Sequence, residues 1–197
     1  YSTDYVFDGS KTSPYTERDT PSPINVYGRT KLAGEQAIQA ADIPHLILRT
    51  SWVYGARGKN FLLTILRLAQ ERDELKIVDD QIGAPTSSRM IAEATALILA
   101  KRPLPPGEGW GEGGSGLYHL TAAGQTSWHG FAAAILASRA RSTGVAGPRL
   151  IPIPTSAYPL PAPRPLYSVM ANDKLQRAFG VALPAWQNGL GLCMDEM

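Results

Sequence analysis

Tyr27 and Lys31 stand four residues apart in NVYGRTKLAGE, and Thr3 and Asp4 follow the first two residues of YSTDYVFDG. On a helix, positions i and i+4 share a face, so a phenol and an ammonium at this spacing can serve one cleft. A free tyrosine titrates near ~10, too high for easy proton exchange at neutral pH, and a neighbouring cation favours the phenolate. A threonine hydroxyl at a nearby strand end can hydrogen-bond a carbonyl or alcohol oxygen. Together these groups supply the proton donor and the oxygen anchor that hydride addition to a ketone needs. Tyr-x-x-x-Lys alone is a weak pattern, since a long surface helix can carry it by chance. Its coupling to Ser-Thr-Asp at a strand end, with a proline-containing loop between, is specific.

The elements that must position these residues follow from hydrophobic period and punctuation. Residues 1–7 read as a short strand ending at the turn signal Asp8-Gly9. A helix is predicted from its N-cap Asn25 toward Asp42, with Pro44 just beyond. HLILRTSWVY reads as one buried parallel strand, NFLLTILRLAQER as a helix, LKIVDD as a strand and SSRMIAEATALILAK as an amphipathic helix. GLYHLTAAG followed by SWHGFAAAILASRAR repeats the strand-then-helix order. IPIPTSAYPLPAPRP reads as a linker or an extended cover over the surface. ANDKLQRAFG, capped by Asn172 and ended by Gly180, reads as a short helix, and the tail from Pro184 as helical. Such alternation predicts an α/β fold with a mostly parallel sheet.

Composition narrows the partners. The 197 residues are enough for one domain with a sizeable core, and their 44% hydrophobic and 18% charged content is that of a globular protein. A net charge of +2 gives no reason to expect nucleic acid or an acidic membrane as a partner. Cys193 is the single cysteine, which excludes an internal disulfide and suits a reducing cytoplasm. No apolar run reaches membrane-spanning length. His45, His119 and His129 are scattered without cysteine partners, so no metal site is expected, and His119 and His129 read as packing or surface residues. No nucleophile-elbow motif is present, and Asp79-Asp80 reads as a solvated strand end.

PPGEGWGEGGSG contains Gly-x-Gly-x-x-Gly at Gly109, Gly111 and Gly114, and again at Gly111, Gly113 and Gly116. That motif cradles a pyrophosphate only between a strand and a helix start, where backbone N–H groups and the helix dipole converge. Here it precedes a strand, so it reads as a flexible surface loop. The chain opens on Tyr1 within residues that already read as a strand, so a longer parent protein, with the cofactor turn upstream, is expected.

STDYVFDG, PYTE, NVYGRTKLAGE, LRTSWVYG, NFLLTILRLA, DQIGAPT, YHLTAAGQTSWHGFA and RPLYS together resemble the dTDP-4-dehydrorhamnose reductases of the extended short-chain dehydrogenase/reductase superfamily. The resemblance spans nearly the whole chain. It implies the C-terminal part of an NAD(P)-binding, Rossmann-like, doubly wound parallel sheet with a smaller α/β substrate-binding lobe. Residues 1–60 would belong mainly to the dinucleotide domain and 61–197 mainly to the lobe, with segments returning to the sheet. It also implies cytoplasmic reduction, by NADPH or NADH, of the 4-keto group of dTDP-4-dehydro-L-rhamnose, the last step of rhamnose donor synthesis for cell-wall polysaccharide and lipopolysaccharide. The partner is then a dTDP-sugar, with a homodimer left open.

Residue by residue, the resemblance makes Tyr27 the general acid and Lys31 the residue that holds the nicotinamide ribose and tunes Tyr27. Thr3 would bind the substrate oxygen, Asp4 and Tyr5 would line the sugar pocket, and Trp52 would pack against the sugar, a core aromatic being its alternative reading. Gln81, Gly83, Pro85 and Thr86 would shape the cleft wall. Related dehydratases carry Thr-Asp-Glu where this chain has Thr3-Asp4-Tyr5, and loss of the second carboxylate fits plain ketone reduction. The competing reading is a regulatory binding module similar to the beta subunit of methionine adenosyltransferase. The chain by itself is expected to be inactive, because hydride transfer needs the cofactor cradle.

Overall fold

The computed structural model describes residues 1–101 and 115–197; Gly109, Gly111, Gly113 and Gly114 of the glycine-rich stretch lie outside the described residues. In chain order the elements are β1 (Ser2–Thr3), a 3-10 turn (Asp4–Val6), α1 (Val26–Ala40), β2 (Leu46–Thr50), β3 (Val53–Tyr54), α2 (Phe61–Glu71), β4 (Glu74–Val78), β5 (Ile82–Gly83), β6 (Thr86–Ser87), α3 (Ser88–Ala100), β7 (Gly116–His119), β8 (Thr126–Ser127), α4 (Trp128–Thr143), β9 (Arg149–Ile153), a second 3-10 turn (Thr155–Ala157), α5 (Asp173–Phe179) and α6 (Trp186–Asp195).

A parallel sheet of order β1-β2-β7 carries the site, with Thr3 opposite Thr50 and Arg49 opposite His119. Two further parallel pairs, β3 with β6 and β4 with β9, and an antiparallel pair, β5 with β8, lie outside it. The main core joins Leu48, Leu62, Ile98, Leu120, Phe131 and Leu175, and a smaller one joins Val6, Phe7, Tyr15 and Met170. Helix starts follow local chemistry: Asn25, Asn60, Ser87 and Ser127 each accept a backbone N–H of the first turn. No helix among the described residues is long and apolar enough to cross a membrane.

Several expectations are corrected. The opening strand is two residues long, because the Thr3 hydroxyl accepts the Tyr5 N–H and turns the chain into a 3-10 turn. HLILRTSWVY is not one strand: Trp52 adopts φ 46° and breaks it, sending Val53 and Tyr54 out of the main sheet to pair with Thr86 and Ser87. The Pro-rich stretch begins as β9, an edge strand on which Pro152, lacking an N–H, stands opposite Ile77. Asn172 precedes α5 without capping it, since its amide is spent on the backbone and hydroxyl of Thr121. Asp79 and Asp80 do form an exposed end just past β4, and they are also tethers: Asp79 accepts the Ser127 hydroxyl at 2.5 Å, and Asp80 accepts the N–H and hydroxyl of Thr155.

Candidate active site

Open parallel sheets bind ligands beyond the carboxyl ends of their strands, and here those ends carry Thr3-Asp4 after β1 and Ser51-Trp52 after β2. Thr3 and Asp4 are both buried. The Thr3 hydroxyl donates to Asp4 Oδ1 at 3.0 Å while accepting the Tyr5 N–H at 3.2 Å. Asp4 therefore stands beside the Thr3 hydroxyl and orients it. Burial pushes the Asp4 carboxyl up to about 6, only partly offset by the Ser168 and Thr3 hydroxyls.

The folded carboxyl thus binds its proton more tightly than the unfolded one at 3.8, so its contribution to stability is lost as pH rises from about 4 to about 6. Asp4→Asn removes that loss. Its stability relative to the parent is expected to grow across this window and to level off above it, as read from urea melts at successive pH values. A constant difference would exclude the titration.

α1 docks on the turn that follows β1. Gly28 is required there, because a Cβ at this position would lie 2.1 Å from the Tyr5 carbonyl oxygen. The close approach brings the Tyr27 ring edge-on to Tyr5, with centroids 5.9 Å apart and planes at 81°. Tyr27 is 53% exposed, and its hydroxyl has no partner among the described residues. The Tyr5 hydroxyl is pushed up to about 12, by burial first and then by the Asp4 charge, so Tyr5 stays protonated at neutral pH. Lys31, one turn along α1 from Tyr27, donates to the Tyr1 carbonyl at 2.7 Å. A further turn along, buried Glu35 holds Arg49 of β2 through two hydrogen bonds of 2.8 and 2.6 Å. His119, opposite Arg49, is held neutral by burial and by the guanidinium, with a pKa lowered to about 3.

Two cavities flank this frame. One of about 450 Å³ is lined by Tyr5, Asn25, Tyr27 and the segment Pro161 to Arg164. The other, of about 670 Å³, is lined by Phe61, Lys76, Gln81, Trp128, Tyr158 and Arg164 among others. Arg164 is the lining residue they share. Sequence reasoning missed both Arg164 and Trp128. The available signal was that Arg164 is the one charged residue between Ile151 and Pro165.

Trp52 lines neither of these cavities. One face of its indole stacks on Trp128 at 3.6 Å and 7°, and the other packs on Gly83, where a Cβ would lie 2.4 Å from Cε2. Trp128 is in turn fixed by its Nε1–H to Gln81 Oε1, and Gln81 donates to Thr155. The Trp52 indole is thus held by Trp128 and Gly83. Gly83→Ala forces the indole off this stack, and about 1–3 kcal/mol of destabilisation is expected from such overpacking. Thermal denaturation checks this, and an unchanged midpoint would show that the stack yields freely. Thr86, expected on the cleft wall, is fully buried and accepts the Ala122 N–H while donating to the Ala84 carbonyl.

The donor set of Tyr27 and Lys31 fits the ribose end of a nicotinamide cofactor: a phenol and an ammonium on one helix face, beside a cavity. The described residues place no glycine-rich strand-to-helix turn that would fit its phosphates.

Residues 1–197 match the family described as the RmlD substrate binding domain. The dTDP-4-dehydrorhamnose reductase of Burkholderia thailandensis is 54% identical over 200 residues, covering 100% of this chain and 66% of the relative. That of Escherichia coli strain K12 is 45% identical over 199 residues, covering 100% and 64%. The chain thus spans just under two thirds of the length of these curated relatives. Among solved structures, the dTDP-4-dehydrorhamnose reductase of Bacillus anthracis in complex with NADP superposes with a TM-score of 0.86 at 34% identity, over 100% of this chain and 64% of that one. The parallel α/β architecture is accordingly Rossmann-like, and the chain belongs to the RmlD substrate binding domain family.

Proposed function

We propose that this chain forms the substrate side of an NAD(P)H-dependent dTDP-4-dehydrorhamnose reductase, acting in the cytoplasm on the 4-keto group of dTDP-4-dehydro-L-rhamnose to give dTDP-L-rhamnose. The observation that carries the reading is the exposed Tyr27 phenol, one helical turn from Lys31, in a cavity that shares Arg164 with a second, aromatic-walled one. A sugar held at the first cavity and a nucleotide held at the second would use both.

The cofactor, when bound, supplies the hydride. Tyr27 delivers the proton from its hydroxyl to the 4-oxygen as that oxygen gains charge, and Lys31 stabilises the phenolate left behind. Thr3 holds the substrate oxygen. With Asp4 ionised the Thr3 proton is engaged by the carboxylate, whereas a protonated Asp4 leaves that proton free for the ketone. Gly28 and the Glu35–Arg49 pair keep α1 seated, so Tyr27 is presented in one place.

The test is a chimera in which this chain replaces the 200 matching residues of the Burkholderia thailandensis relative, assayed by NADPH oxidation with dTDP-4-dehydro-L-rhamnose. Turnover is expected from the chimera and not from the chain alone. A folded chimera that binds NADPH yet turns over nothing would favour the regulatory binding module.

A further inference from the structure

Arg164 makes no ion pair or hydrogen bond among the described residues, is exposed, and lies on the wall of both cavities. It sits in Pro161-Ala162-Pro163-Arg164-Pro165, where alternate prolines fix the backbone and leave few conformations to lose on binding. One side chain ties this strap to the helix that carries Tyr27. Buried Asn25 accepts the Gly28 N–H through Oδ1 at 2.8 Å and donates through Nδ2 to the Pro163 carbonyl at 2.9 Å. The amide's orientation is fixed by these partners, since an N–H needs the oxygen and a carbonyl needs the NH₂. The N-cap of α1 thereby also holds the residue before Arg164.

We infer that Arg164 binds the diphosphate of the sugar nucleotide at the junction of the two cavities, and that Asn25 is a positioning residue setting Arg164 relative to Tyr27. The inference rests on the nucleotide-sugar reading above and deepens it. A guanidinium is suited to this task because its planar fork matches two phosphate oxygens, where an ammonium offers only a point charge. Lys76 and Arg72 are also cations of the larger cavity, but neither lines the one that holds Tyr27. Arg164 alone of the three can hold a linker joining a group in one cavity to a group in the other.

A diphosphate occurs in dTDP-sugars and in NADP alike, so titration calorimetry of the 197-residue chain is run with dTDP, thymidine and NADP⁺ in separate arms. Arg164→Ala is expected to weaken dTDP about thirtyfold, the loss of one charged hydrogen-bonded partner, and to leave thymidine unchanged. Arg164→Lys should recover part of this. Asn25→Ser keeps an N-cap acceptor but cannot reach Pro163, so about a fivefold loss for dTDP is expected at an unchanged melting temperature. In the Arg164→Ala background, Asn25→Ser should have no further effect, because it acts through the arginine. A loss confined to NADP⁺, or dTDP binding indifferent to Arg164→Ala, overturns the inference and leaves the reductase reading standing. Additive losses overturn the role of Asn25. Wild-type chain that melts cooperatively but binds no dTDP counts against the nucleotide-sugar reading itself.

Discussion

Tyr27→Phe in the active chimera is expected to lower kcat for dTDP-4-dehydro-L-rhamnose about a thousandfold, within the range that a positioned general acid contributes. KM and melting temperature should hold. The reason is structural: Tyr27 is half exposed and its hydroxyl has no partner among the described residues, so removing that hydroxyl breaks no hydrogen bond. The edge contact on Tyr5 needs only the ring, which phenylalanine retains. Steady-state NADPH oxidation measures the effect, and a loss below about tenfold would assign the proton to water or to another group. Tyr5 is a poor substitute, since its own proton is held too tightly, with a pKa near 12.

Glu35→Ala is the second large effect, and it concerns the frame. Glu35 and Arg49 are 3% and 1% exposed, and the pair lies between α1 and β2. Removing the carboxylate strands a guanidinium whose Nη1 already lacks a hydrogen-bond partner among the described residues, over the Phe7 ring 5.1 Å away. Breaking a buried pair from one side costs about 3–5 kcal/mol, whereas replacing both members by apolar residues of similar volume is often neutral. Glu35→Ala should therefore lower the urea midpoint sharply, and Glu35→Met with Arg49→Met should restore most of it. If the double variant is no better than the single one, the pair's geometry rather than its charge balance holds α1. Lys31 lies one turn from Glu35, so the single variant should also disturb the side of the helix that presents Tyr27 and Lys31.

How much of this was legible in the sequence depends on how local the cause is. α1 and its Asn25 cap, α2, α3 and α4 follow from apolar period and from cap residues within four positions, and were readable. The Tyr27 and Lys31 pairing was readable for the same reason, being a consequence of helical pitch. The break at Trp52 was not. An aromatic in a β-rich run favours a strand, whereas Trp52 has a positive φ and packs on Gly83 and Trp128, which lie 31 and 76 positions away. The burial of Asp4 was not legible either, because it follows from the 3-10 turn and not from the residue's type. Asn172 shows the converse, a good capping type whose amide was claimed by distant Thr121. The sequence marks Arg164 only as the one charged residue of a proline-rich stretch; its place on the walls of two cavities depends on other segments and needs three dimensions.

The Trp52–Trp128 stack has one more consequence. Two indoles stacked at 3.6 Å are in direct contact, so the emission of each depends on the place of the other. Trp128 walls the larger cavity, and a ligand that displaces it must separate the two chromophores. The protein thus carries an intrinsic optical gauge of occupancy, readable without label, cofactor or turnover.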